Sequence, residues 1–113
     1  MQHKHLQFGA GFKVVLGDEH SQAGQMTLGP GETEGGADNS HRGADQWLFV
    51  VSGTGNAVVN GKKVPLRAGT LVLIQRGDTH EIRNTGRGQL KMLNVYVPPA
   101  YTPAGNERLA GKP

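Results

Sequence analysis

The sequence predicts an all-β domain, a sandwich or small barrel of short antiparallel strands, and three observations predict it. No stretch sustains apolar residues at the three- and four-residue spacing of an amphipathic helix, and Gly or Pro interrupts almost every window of ten. Short runs rich in Val, Leu and Ile recur along the chain with turn residues between them. Glycine supplies 18 of the 113 residues, well above the average share of about 7%, as a chain with many turns requires.

About eight strands follow in order. Phe12–Leu16 (FKVVL) opens the series, and the polar GDEHS, with His20 as an exposed turn residue, leads toward Gly24–Leu28 (GQMTL), which stops at Gly29-Pro30-Gly31. Gln46–Val51 (QWLFVV) is the most apolar run. Asn56–Val59 and Lys63–Leu66 flank Asn60-Gly61, a pair that tolerates the positive φ of a type I′ hairpin. Thr70–Ile74 lies between the turns Arg67-Ala68-Gly69 and Arg76-Gly77-Asp78. His80–Asn84 runs to the Thr85–Gly88 turn, and Leu90–Val97 closes the series. After Val97 the chain reads PPAYTPAGNERLAGKP, an irregular Pro-rich arm. The expectation is a single domain over 1–113, with a core at about 12–97 and an arm at 98–113.

Side chains of a strand alternate between faces, so Gln46, Leu48 and Val50 share one face and Trp47, Phe49 and Val51 the other. Both faces are apolar, and Leu71 and Leu73 against Val72 and Ile74 repeat the pattern. Strands of this kind are buried on both sides, by a second sheet on one and a second subunit on the other. A homodimer is therefore expected.

Composition excludes several classes of function. There is no cysteine, which removes disulfides, thiolate catalysis and thiolate metal sites and points to the cytoplasm. The N-terminal MQHKHLQFGAG has no apolar core of a signal peptide, and no run is long enough to span a membrane, so a soluble, unprocessed protein is expected. The net charge is +3, but the twelve Lys and Arg are scattered and no basic block exceeds Lys62-Lys63, so nucleic acid is not expected as a partner. Four of the nine acids, Glu32, Glu34, Asp38 and Asp45, surround His41.

The polar residues that carry chemistry sit at strand starts. His41 lies five residues before Gln46, which opens the most apolar strand, and Gly53 follows seven residues later. His80 opens a later strand and Asn84 closes it. A strand-opening side chain that points inward reaches the mouth of a barrel. Two imidazoles and a carboxamide gathered there could hold a divalent cation.

The spacings resemble those of the cupin superfamily. GTLVLIQRGDTHEIRN places Gly69, Gly77, His80 and Asn84 on that family's second motif, with Gln75 in place of its proline. On the first motif, Gly53 anchors a register in which Gln46 takes the glutamate position, His41 the second histidine and Asn39 the first. The resemblance covers about Gly24 to Pro99 and is to the small single-domain cupins of bacteria. It implies a double-stranded β-helix, that is, a jelly-roll barrel, commonly dimeric. It also implies a site for iron, manganese, zinc, nickel or cobalt at Asn39, His41, Gln46 and His80. This chain departs from the family in offering two neutral amides where the family has a histidine and a carboxylate, and Asp45 could swing in from the loop to supply the missing charge.

Other readings of these residues stay open. The two histidines could form a hydrogen-bonded pair in a polar cavity, Gln46 a buried polar contact and Asn39 a loop position. Asn84 reads as fixing a turn. His3 and His5 read as part of a mobile tail. GTGNAV leads into a strand and lacks a phosphate loop's third glycine, and no serine has a histidine placed by motif to activate it.

Two functions follow. One is a metal-dependent enzyme, an oxygenase, isomerase or lyase, acting on a small oxygenated molecule such as a sugar, phenol or keto acid. The other is a non-catalytic barrel that binds or senses a small molecule with weak or no metal.

Overall fold

The computed structural model describes residues 1–36 and 43–102. It is all-β, with no helix among those residues. Nine strands form: β1 (Gly11–Gly17), β2 (Gln22–Leu28), β3 (Thr33–Gly36), β4 (Asp45–Ser52), β5 (Gly55–Val59), β6 (Lys62–Leu66), β7 (Leu71–Ile74), β8 (His80–Asn84) and β9 (Leu90–Val97). Eight of them match the apolar runs of the sequence to within two residues at either end. The ninth, β3, reads TEGG and carries no β-branched aliphatic residue. Its place comes from pairing with β8, a tertiary contact that overrides weak local propensity.

The strands build two antiparallel sheets in the jelly-roll arrangement, ordered β1-β2-β9-β4-β7 and β3-β8-β5-β6. Alternation along β4 buries Gln46, Leu48 and Val50 and leaves Trp47, Phe49 and Val51 exposed, as the sequence pattern requires. Between the sheets lie Met26, Leu28, Leu48, Val50, Ala57, Leu66, Ile74, Ile82, Leu90 and Met92. Burying each of the larger aliphatic side chains contributes about 1.5–3 kcal/mol, which makes this cluster the main favourable term in the fold.

Turn chemistry sets the connections. Asn60 and Gly61 both adopt positive φ, 49° and 79°, in the β5–β6 hairpin. Between β1 and β2 the Asp18 carboxylate accepts from the backbone N–H groups of His20 and Ser21, at 2.8 and 3.0 Å. Those bonds favour the ionised form and hold the Asp18 carboxyl below its usual range, the bond from His20 foremost. His20 is exposed, as expected of a turn residue.

Segments outside the strands at both ends of the described chain are tied to the sheet. The Gln2 side chain donates to the Gly17 carbonyl at 2.9 Å, and the Gln7 carbonyl accepts from the Gln25 side chain at 2.6 Å. The N-terminal segment is thus pinned to β1 and β2, while His3 and His5 remain exposed. At the other end, Gln22 bonds the backbone of Tyr101 twice, at 2.7 and 3.0 Å, and Ala100 is fully buried. Phe12, Tyr96 and Tyr101 pack as a ring trio with centroids 4.7–6.3 Å apart. Residues 98–102 therefore close one end of the sandwich; the rest of the Pro-rich arm lies outside the described residues. No helix among the described residues is long and apolar enough to cross a membrane.

Two glycines with positive φ separate backbone strain from steric exclusion. At Gly61 an added Cβ meets nothing within 4 Å, whereas at Gly53 it would sit 2.4 Å from the Gln89 carbonyl oxygen. Gly61→Ala is expected to lower stability by about 1–2 kcal/mol and Gly53→Ala by about 3 kcal/mol or more, read from urea denaturation midpoints.

Candidate functional site

The interior changes character along its length. At one end the inward residues are Leu28 and Leu90, followed by Met26, Met92 and Val50. Next come Leu48 and Asn94, and at the far end Gln22, Tyr96, Gln46 and Ile74. The facing sheet runs the same way. Asn84 lies at the aliphatic end, where its Nδ2 donates to the Leu28 carbonyl at 2.8 Å, and His80, four residues earlier on β8, lies toward the polar end.

Loop 75–79 brings Gln46 and His80 to that same end. It runs from Ile74, the cross-strand partner of Gln46, to His80 on the opposite sheet. Asn60 and Asp78 fix its path. Asn60 Oδ1 accepts from the Thr79 N–H at 3.0 Å, and Asn60 Nδ2 donates to Asp78 Oδ1 at 2.9 Å. Asp78 Oδ2 in turn accepts from the Gln75 N–H at 2.9 Å. Asp45 Oδ1 accepts from the Arg76 N–H at 2.9 Å and lies 3.4 Å from Arg76 Nε. Asp45 is thus the first residue of β4, engaged with the loop rather than turned inward to supply charge. Glu81 likewise points away from the interior, paired with Arg83.

Gln46, His80 and Asn94 are buried, at 2%, 4% and 0% exposure. Gln46 Nε2 donates to Asn94 Oδ1 at 3.1 Å. Gln46 Oε1 and Asn94 Nδ2 are also buried and have no hydrogen-bond partner among the described residues. Orphaned polar atoms cost free energy in an interior, and such groups in a native fold call for a ligand, an ion or water. None of the buried described residues is an Asp, Glu, Lys or Arg.

Of the four expected metal ligands, Gln46 and His80 are brought to one end of the interior. Asn39 and His41 lie outside the described residues. Among the described residues no three His, Asp or Glu side chains are grouped closely enough to hold a metal ion. The described donors are one imidazole and one amide oxygen, a set that fits a first-row cation only in part, because no anionic ligand accompanies them. β3 sets Glu34 opposite Ile82 and Gly36 opposite His80, so a carboxylate shares the edge of that sheet, exposed to solvent.

Sequence reading missed two residues here. Asn94 sits in the inward phase of Leu90, Met92, Asn94 and Tyr96, and a polar residue in that phase was the available signal. Asn60 was legible as a turn former, but its clamp on loop 75–79 joins residues 18 and 19 positions apart and left no local trace. Asn84 behaves as read. Besides Leu28, its Nδ2 bonds the Gly88 carbonyl at 2.9 Å and its Oδ1 accepts from the Gly86 N–H at 2.9 Å, which fixes the turn.

Two antiparallel sheets in this strand order define the class of jelly-roll barrel proteins. The chain belongs to the cupin domain family, whose model matches residues 24–96. It is 34% identical over 73 residues to an oxalate-binding protein of Thermotoga maritima, an alignment covering 65% of this chain and 59% of that one. The chain thus spans less than two thirds of that relative. Among solved structures, a Bacillus halodurans protein superimposes with a TM-score of 0.74 at 25% identity, over 88% of this chain and 76% of that one. A predicted oxalate decarboxylase of Thermotoga maritima gives 0.66 at 26% identity, over 78% and 79%.

The two kinds of buried amide differ in what their loss should do. Asn84→Ala strands the Leu28 carbonyl and the Gly86 N–H and is expected to cost about 2–3 kcal/mol. The double change Gln46→Met with Asn94→Leu removes both partners of an incompletely bonded pair and is expected to leave stability within about 1 kcal/mol of the parent, or to raise it. Urea denaturation of both variants checks the contrast.

Proposed function

We propose that this cupin barrel binds a small oxygenated organic molecule at its polar end, without a tightly held metal. The carrying observation is the buried pair Gln46 and Asn94, each with a polar atom that finds no partner among the described residues. His80 lies toward the same end. Gln46 is a neutral amide, and an amide oxygen holds a first-row ion less tightly than a carboxylate, which favours binding over metal-assisted turnover. The relative named an oxalate-binding protein supports a binding role for this family member.

A second reading, a metal-dependent enzyme of oxygenase, isomerase or lyase type, is favoured by the place of His80 at the polar end and by the orphaned Gln46 Oε1, a potential ligand atom. His80 and Gln46 would hold the ion together with His41 and Asn39. A bound divalent cation would supply Lewis acidity toward substrate oxygens. Gln46 would then act as ligand and Asn94 would orient it through the 3.1 Å hydrogen bond.

Elemental analysis of protein purified without nickel resin separates the two. Binding alone predicts substoichiometric metal in the parent protein, unchanged in His41→Ala and His80→Ala. One equivalent of metal in the parent, lost in both variants, overturns that reading in favour of the enzyme.

We also propose that the working form is a homodimer joined through the outer face of β4 and β7. Trp47, Phe49, Val51, Leu71 and Leu73 lie on that face with 40–58% exposure, a contiguous apolar patch of the kind that marks subunit contacts. At micromolar concentration the chain of 12.0 kDa is expected to sediment as a dimer, and Phe49→Glu with Leu71→Glu as a monomer. A monomeric parent protein overturns the assignment.

A further inference from the structure

We infer that the polar end of the barrel selects neutral, hydroxyl-bearing molecules over carboxylate dianions, with Asn94 and Gln46 making the selection. The inference rests on the small-molecule-binding reading above and adds the ligand's chemistry.

The argument starts from the hydrogen-bond inventory. The pair is linked by one bond, Gln46 Nε2 to Asn94 Oδ1, which leaves a carbonyl oxygen on Gln46 and an amide N–H group on Asn94 without partners among the described residues. Exchanging nitrogen and oxygen in both side chains reverses the linking bond and leaves the same two functions, one acceptor and one donor, on exchanged residues. Whichever assignment holds, the site therefore presents one of each.

A hydroxyl group satisfies both, because its oxygen accepts from the N–H while its hydrogen goes to the carbonyl. A carboxylate only accepts. It would meet the Asn94 N–H but set its charge against the Gln46 oxygen. The surroundings add to this. Leu48, Val50, Met92 and Ile74 wall the interior, with His80 as the only imidazole among the buried described residues. Moving a charge from water into an aliphatic interior costs far more than moving a hydroxyl that is hydrogen-bonded on arrival. The same inventory separates this chain's interior from one suited to oxalate, the ligand in the name of its relative.

The test is calorimetric titration of EDTA-treated protein with catechol and D-xylose as neutral probes, oxalate and malonate as dianions, and 1,2-difluorobenzene as a catechol-sized probe without hydroxyls. At least one neutral probe is expected to bind, with neither dianion giving measurable heat and difluorobenzene at least about tenfold weaker than catechol. Gln46→Met with Asn94→Leu is expected to weaken the bound neutral probe at least about tenfold; should that variant not fold, the comparison of catechol with difluorobenzene on the parent protein decides alone. A dianion binding more tightly than both neutral probes overturns the inference and leaves the binding function standing. Equal affinity for catechol and difluorobenzene overturns it likewise. A parent protein that binds none of the probes overturns both.

Discussion

The register of β4 on β9 is the constraint from which the rest of the molecule follows. Gln46 pairs with Tyr96, Leu48 with Asn94 and Val50 with Met92, which sends all six side chains to the interior. A slip of β4 by one residue would turn Trp47, Phe49 and Val51 inward and expel Gln46, leaving Asn94 without its hydrogen-bond partner. The packing of Leu48, Val50 and Met92 against Ile82 and Leu90 makes such a slip costly. Hydrophobic burial at one end of the sandwich thus sets the geometry of polar groups at the other.

The polar end works against stability. Gln46, Asn94 and His80 occupy inward positions that aliphatic residues fill elsewhere in the same strands. Buried amides with hydrogen-bonding capacity that no described residue meets are a cost to the fold. Around them Asp45, Asn60 and Asp78 hold loop 75–79 by its backbone, and Gln22 holds Tyr101 by both its N–H and its C=O.

Closure of the same end uses aromatic packing. Gly24 has room for no side chain, since a Cβ there would lie 2.6 Å from the Phe12 ring. That ring in turn meets Tyr96 and Tyr101, which carries residues 98–102 over the barrel end beside Ala44 and Ala100. The part of the Pro-rich arm next to β9 is therefore part of the barrel.

Much of this was legible in the chain itself. The β class, eight of the nine strands, the Asn60-Gly61 hairpin, the inward phase of Gln46 and the family motif around His80 are all local, because period-two alternation and turn chemistry act over a few residues. The candidate site was legible in part: Gln46 and His80 were readable as inward polar residues, while Asn94 was not singled out. Tertiary structure alone decided four things: that TEGG forms a strand, that Asp45 turns to loop 75–79, that Asn60 clamps the approach to His80, and that Asn94 completes the polar pair with Gln46. Each depends on a partner far away in sequence. Backbone pairing can impose a strand on residues of weak propensity, and a buried amide acquires its role only from what the opposing strands set beside it.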